Sequence, residues 1–149
     1  MPRALSVGQR TDSLVSGMAP PEVDMLTQAP FMAVIYAPDP SAVQAFYQDV
    51  LGLEVTSVDP MGVEFNAGGT VIRLAHNPQH TPAHGTVAGW FVDDLDATIA
   101  ALAERGVAME HYDQLEQDAQ GVWTVPGGGP RISWFKDPVG NTLSLRQDP

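Results

Sequence analysis

One pattern occurs twice in this chain and restricts its fold more than any other feature. Met32 to Ala37 (MAVIYA) is a run of β-favouring residues that leads into Pro38-Asp39-Pro40-Ser41, after which Ala42, Val43, Ala45, Phe46, Val50 and Leu51 recur at helical spacing. Val87 to Val92 (VAGWFV) leads into Asp93-Asp94-Leu95-Asp96, and Ala97, Ile99, Ala100, Leu102 and Ala103 follow at the same spacing. Asp39 matches Asp94, Ala42 matches Ala97 and Ala45 matches Ala100 at one common offset, with Gly52 one residue off Gly106. A shared offset marks a duplicated unit. The local chemistry agrees at both ends of the first helix. Asp39 can cap it with Pro40 at the first position, or Ser41 can cap it with Gln44 three residues on, and Gly52 provides a left-handed stop.

Extended segments follow each helix. In the first half they are Leu53 to Val58, Gly62 to Asn66 and Thr70 to Ala75, with a Gly68-Gly69 turn. In the second half they are Val107 to Tyr112, Arg131 to Lys136 and Thr142 to Arg146, the last two joined by Asp137-Pro138-Val139-Gly140. Each half therefore reads βαβββ, and the expectation is an α+β domain over residues 30–147, with module one at 30–77 and module two at 85–147. The surplus stretch Gln114 to Pro130 holds Gly121-Val122-Trp123-Thr124-Val125 and a glycine-rich run, read as a short strand and a loop. Residues 1–29, rich in Pro and polar positions, read as an N-terminal extension outside the core.

Composition narrows the function classes. Seven Lys and Arg against eighteen Asp and Glu give a formal charge of -11, which repels phosphate backbones and anionic membranes. Nucleic acid and membrane are excluded as expected partners, and cationic ligands are favoured. No apolar run approaches the ~20 residues of a transmembrane helix. The absence of Cys excludes disulfides, a thiolate nucleophile and Cys-ligated metal. With no uninterrupted apolar leader in the first residues, the expected location is cytoplasmic.

Two motifs carry a resemblance. Phe46-Tyr47-Gln48-Asp49-Val50-Leu51-Gly52 resembles the FY-x-x-VLG signature of the vicinal oxygen chelate superfamily, the group of glyoxalases, bleomycin resistance proteins and extradiol dioxygenases. Phe135-Lys136-Asp137-Pro138-Val139-Gly140-Asn141 resembles that family's late F-x-DP-x-GN turn, and the likeness covers roughly Phe31 to Gln147. The resemblance implies two βαβββ modules whose mixed sheets curl around a central cup, often in a homodimer. In the metalloenzymes of the family, His or Glu on the inner strands hold a divalent ion that acts as a Lewis acid. The corresponding positions here are Met32 and Val87 on the opening strands and Arg73 and Ser144 on the closing ones. A thioether, a methyl group, a guanidinium and a hydroxyl make a poor divalent-metal set, so neither metal nor other cofactor is expected.

Alternation places Met32, Val34 and Tyr36 on one face and Val87, Gly89 and Phe91 on its equivalent. That face is the expected cup, with Arg73 and Ser144 on the closing strands and Trp123 and Phe65 as candidates for an aromatic wall. Arg73 either pairs with Glu64 or Glu110, or awaits an anionic ligand. His76, His80 and His84 share a spacing of four, but Pro78 and Pro82 interrupt any helix between them, and a surface linker is the expectation. The leading functional reading is a metal-independent protein that binds a small organic ligand in an apolar cup. The rivals are a metal-dependent lyase or dioxygenase of the glyoxalase kind, and a metal-free enzyme such as an isomerase with His111 or Glu64 as base.

Overall fold

The computed structural model describes residues 25–149, so all but the last few residues of the expected N-terminal extension lie outside the described residues. Strand β1 (Met32–Ala37) leads into helix α1 (Pro40–Ala45), which continues as a π-helical turn (Phe46–Val50). Strands β2 (Glu54–Asp59), β3 (Gly62–Ala67) and β4 (Thr70–His76) complete the first module. The second runs β5 (Thr86–Phe91), α2 (Leu95–Glu104), β6 (Trp123–Thr124), β7 (Arg131–Lys136) and β8 (Thr142–Gln147). The architecture is α+β: two mixed four-stranded sheets, in the orders β1-β4-β3-β2 and β5-β8-β7-β6. Each sheet has one parallel pair, β1 with β4 and β5 with β8, and its other pairs are antiparallel.

The repeat is legible in the caps. Asp39 and Asp94 sit at nearly the same backbone angles, φ -138 and ψ 98 against φ -136 and ψ 93. Asp39 Oδ1 accepts from the backbone N–H and the hydroxyl of Ser41, while Asp94 Oδ1 accepts from the N–H of Ala97. Of the two caps open to the first helix, the structure uses Asp39. Each carboxylate satisfies an orphan donor and faces the positive end of the helix dipole. Gly52 and Gly106 end the helices at φ 77 and 85, a conformation that costs other residues their Cβ clearance.

Each sheet has a covered and an uncovered face. Ile35, Val63, Phe65, Ile72 and Leu74 are buried on the side against which α1 packs, with Tyr47 tilted over Phe65. In module two Leu143, Leu145 and Phe135 are buried on the side of Leu95, Ile99 and Leu102 of α2. These residues form one continuous cluster across both modules. The two motifs of the sequence meet within it: the hydroxyl of Tyr47 donates to Asp137 Oδ2 at 2.6 Å. Asp137 Oδ1 also accepts from the N–H groups of Val139 and Asn141, and Asn141 Nδ2 donates both to Asp137 Oδ2 and to the carbonyl of Tyr36. Burial, followed by the neighbouring Asp137 charge and its hydrogen bond, pushes the Tyr47 phenol far above its ordinary range. The motifs thus join one module to the other.

One expected strand is not formed. Val107 to Tyr112 has no regular structure, and the strand pairing with β7 is β6, from the stretch read as surplus. The reason is a side chain acting as a surrogate ladder. Gln117 Oε1 accepts from the N–H of Tyr112, and its Nε2 donates to the carbonyls of Glu110 and Gly121. The segment keeps one bond to the sheet, from the N–H of Glu110 to the carbonyl of Trp134 on β7, and Gln117 takes up groups that a full ladder would otherwise pair.

Candidate functional site

The uncovered faces carry most of the sequence candidates. Because side chains alternate, the residues between the buried ones point away from the helices. On β1 these are Met32, Val34 and Tyr36, the last two 43% and 44% exposed; on β5 they are Val87, Gly89 and Phe91, with Phe91 75% exposed. Phe31, just before β1, is likewise exposed. These large apolar side chains are clustered on the opening strands rather than scattered singly over the surface.

Strand register aligns the two modules. Val34 stands opposite Arg73 in the β1–β4 pair, and Gly89 stands opposite Ser144 in the β5–β8 pair. The missing side chain at Gly89 matters, because a Cβ there would collide with the Ser144 hydroxyl. Met32 lies two residues before Val34, and Val87 two before Gly89, so the four positions tested for a metal occur in matching places.

Arg73 is held by two carboxylates. Its Nη1 and Nη2 donate to the two oxygens of Asp59 at 2.9 and 3.1 Å, and Nη1 also reaches Glu64 Oε2 at 3.1 Å. Glu64 was one of the two partners expected; Glu110 is not used, and Asp59 was missed. Asp59 is brought into reach by the tight β2–β3 turn, where its Oδ1 also accepts from the N–H of Met61. Gly62 opens the path, since a Cβ there would come within 3.3 Å of the Arg73 guanidinium carbon. Arg73 and the Met61 N–H together lower the Asp59 carboxyl below the ordinary carboxylate range. Two carboxylates against one guanidinium leave this part of the face acidic, so an anion has little claim on Arg73.

Module two presents aromatics instead. Trp134 on β7 stands opposite Ser144, with Trp123 of β6 at 6.4 Å between ring centroids and Tyr112 edge-on at 5.7 Å. Arg146 sits over Phe91 with its guanidinium carbon 5.3 Å from the ring centroid, and its Nε donates to Asp148. Trp134 and Tyr112 were missed as partners of Trp123. The signal was available, because Trp134 alternates with the core residues Ser133 and Phe135 in RISWFK.

Phe65 requires correction. It is 0% exposed on the helix side of β3, packed against Tyr47, and so cannot form a wall of the uncovered face. On β3 it is Glu64 and Asn66, not Phe65, that belong to the open face. The histidines do not converge. His76 ends β4, and His80 Nε2 lies 2.7 Å from Asn141 Oδ1. Among the described residues no group of three or more His, Asp or Glu side chains could hold a metal ion. Glu64, considered as a base, is held by Arg73.

The donor chemistry at the family's ligand positions does not fit a divalent cation. A thioether, an aliphatic group and a lone hydroxyl are weak or absent donors, and the paired guanidinium at position 73 repels a cation outright. The arrangement suits instead an organic molecule resting on aliphatic and aromatic groups, with a few polar atoms to orient it.

Comparisons with known proteins agree with this architecture. The family model for the glyoxalase/bleomycin resistance protein/dioxygenase superfamily matches residues 29–145. Among solved structures, TnmS3, an antibiotic binding protein from Streptomyces sp. CB03234, is 24% identical, covers 84% of this chain and 99% of its own, and superposes with a TM-score of 0.65. A glyoxalase/bleomycin resistance protein/dioxygenase superfamily member from Sphaerobacter thermophilus DSM 20745 is 25% identical, covering 80% of this chain and 96% of its own, with a TM-score of 0.62. Lactoylglutathione lyase from Agrobacterium tumefaciens is 24% identical, covering 80% and 93%, with a TM-score of 0.61. No match was found among curated proteins.

Proposed function

Since the chain belongs to the glyoxalase/bleomycin resistance protein/dioxygenase superfamily, we propose that it is a metal-independent binding protein for a small organic molecule. The ligand rests on Met32, Val34, Tyr36, Val87, Phe91 and Trp123, with the Ser144 hydroxyl as a hydrogen-bonding group and Arg73 holding the acidic edge in shape. One observation carries this reading: the opening strands β1 and β5 present apolar side chains on the open face, and positions 32, 73, 87 and 144 offer no metal-binding donor set. The surplus carboxylate beside Arg73 and the formal charge of -11 favour a neutral or basic ligand. The likeness to an antibiotic binding protein supports a small organic ligand.

The exposed apolar residues also favour a homodimer in which a second copy covers part of the face and completes the cup. Among the described residues no helix is long and apolar enough to cross a membrane, and the reading includes a cytoplasmic location.

The test has two arms. Elemental analysis with added Ni, Zn, Fe or Mn should give no stoichiometric tight binding, whereas a screen of basic and neutral organic molecules should raise the melting temperature. Ligand at a hundred times its Kd adds about 2.7 kcal/mol to a selectively bound folded state. A transition metal bound one to one and lost on substitution at positions 32, 73, 87 or 144 would refute metal independence. A flat screen over the organic molecules would refute the binding role.

A further inference from the structure

A further space lies on the helix side of the sheets. A cavity of about 280 Å³ opens between the modules, lined on one side by Leu51 and Leu53 after the π-helical turn and on the other by Trp90, Val92, Ala101 and Leu102. Trp90 points to the helix side of β5, as its pairing opposite the buried Leu145 requires. The space thus lies on the opposite side of the sheets from Val34 and Trp134, and Phe91 at its rim is the residue it shares with the uncovered face. An apolar cavity of roughly 150 Å³ can take a benzene ring, so this one has room for about twice that many heavy atoms.

Its rim carries a cation. Arg105, exposed at the end of α2, lines the cavity and reaches across the module boundary, where its Nη1 donates to the carbonyl of Val50 at 2.7 Å. Among the described residues Arg73, Arg131 and Arg146 are paired with carboxylates and Lys136 donates to the Thr142 hydroxyl, whereas Arg105 has a main-chain carbonyl as its partner. A guanidinium has five N–H donors, and one carbonyl leaves most of them for an incoming group. In so acidic a protein, a cation without a carboxylate partner beside an apolar hollow is set for an anion with an apolar tail.

We propose that this cavity is a second binding site, for a small amphipathic carboxylate whose hydrocarbon part lies between Leu51, Leu53 and Trp90 and whose carboxylate meets Arg105. Calorimetric titration of the full chain with octanoate, with octan-1-ol as neutral control, tests it. Octanoate is expected to bind saturably, one per chain, and in a Trp123→Phe/Trp134→Phe variant to change the fluorescence of the remaining Trp90. Arg105→Gln should weaken octanoate at least about tenfold and leave octanol unchanged. Ala101→Phe should abolish both, and if that variant does not fold, Thr98→Met, a smaller intrusion into the same wall, decides the matter. Absence of saturable binding overturns the proposal. So does binding that survives these substitutions and is lost on Val34→Asp, because the ligand then sits on the open face. The open-face reading is tested by organic bases and metals, so either proposal can fail alone.

Discussion

In module one the open face centres on Val34 beside Arg73, with two carboxylates clamping the guanidinium; in module two the matching pair is Gly89 beside Ser144, flanked by Trp134, Trp123 and Tyr112. On the helix side the same modules remain alike, with an aspartate at equal backbone angles before each helix, a left-handed glycine after it, and buried aliphatic and aromatic residues beneath. The two units are alike on the side that the helices cover and differ on the side that they leave uncovered. Selection for packing acts on every residue of a core, whereas an uncovered face is constrained only by what it contacts.

Substitutions on opposite sides of the sheets should separate these roles. Phe65→Ala, on the helix side, should cost about 3–5 kcal/mol in chemical denaturation. Phe91→Ala should cost less than about 1 kcal/mol while weakening any open-face ligand. Equal losses would mean that the two sides are not distinct in this way.

Next in size is the junction between the modules. Tyr47→Phe removes the donor to the buried Asp137 and should cost about 1–3 kcal/mol. It should also alter the alkaline limb of stability. The folded phenol is held above its ordinary value, so the stabilisation is complete below the ordinary tyrosine range and is lost as pH rises from there toward the folded value. Denaturation curves followed upward from neutral pH should show a decline that is shallower in the Phe variant.

The caps test the likeness between modules. Asp39→Ala and Asp94→Ala should each cost about 1 kcal/mol, and the double variant should be additive within about 0.5 kcal/mol. A large inequality would show that the repeats no longer share this device. The smallest effect is expected at Ser133, buried on β7 with no partner for its hydroxyl among the described residues. Ser133→Ala should be neutral or slightly stabilising in the same assay.

Much of this was legible because it is local. The Asp39 and Asp94 caps, the Gly52 and Gly106 stops and the strand–helix order follow from residues a few positions apart, and their repetition supplied the topology. The alternation on β1 and β5 also identified which residues share a face. It could not say which face of β3 the helix covers, which is why Phe65 was assigned to the wrong side. The Arg73–Asp59 pair depends on a turn and on the bare backbone of Gly62, and the failed strand at Val107 to Tyr112 depends on Gln117 reaching backbone groups up to seven residues away. Such contacts depend on side-chain reach in three dimensions, which a linear pattern does not encode. Arg105 escaped notice for the same reason, because its partner Val50 is fifty-five residues distant.

The clamp around Arg73 has an evolutionary consequence. A single exchange of Arg73→Glu would set a third carboxylate against Asp59 and Glu64 with their counter-charge removed, and mutual repulsion would penalise the intermediate before any cation could reward it. Placing a carboxylate at this position therefore requires prior loss of both neighbours, so a stepwise change from guanidinium to carboxylate is blocked by the charges already around it.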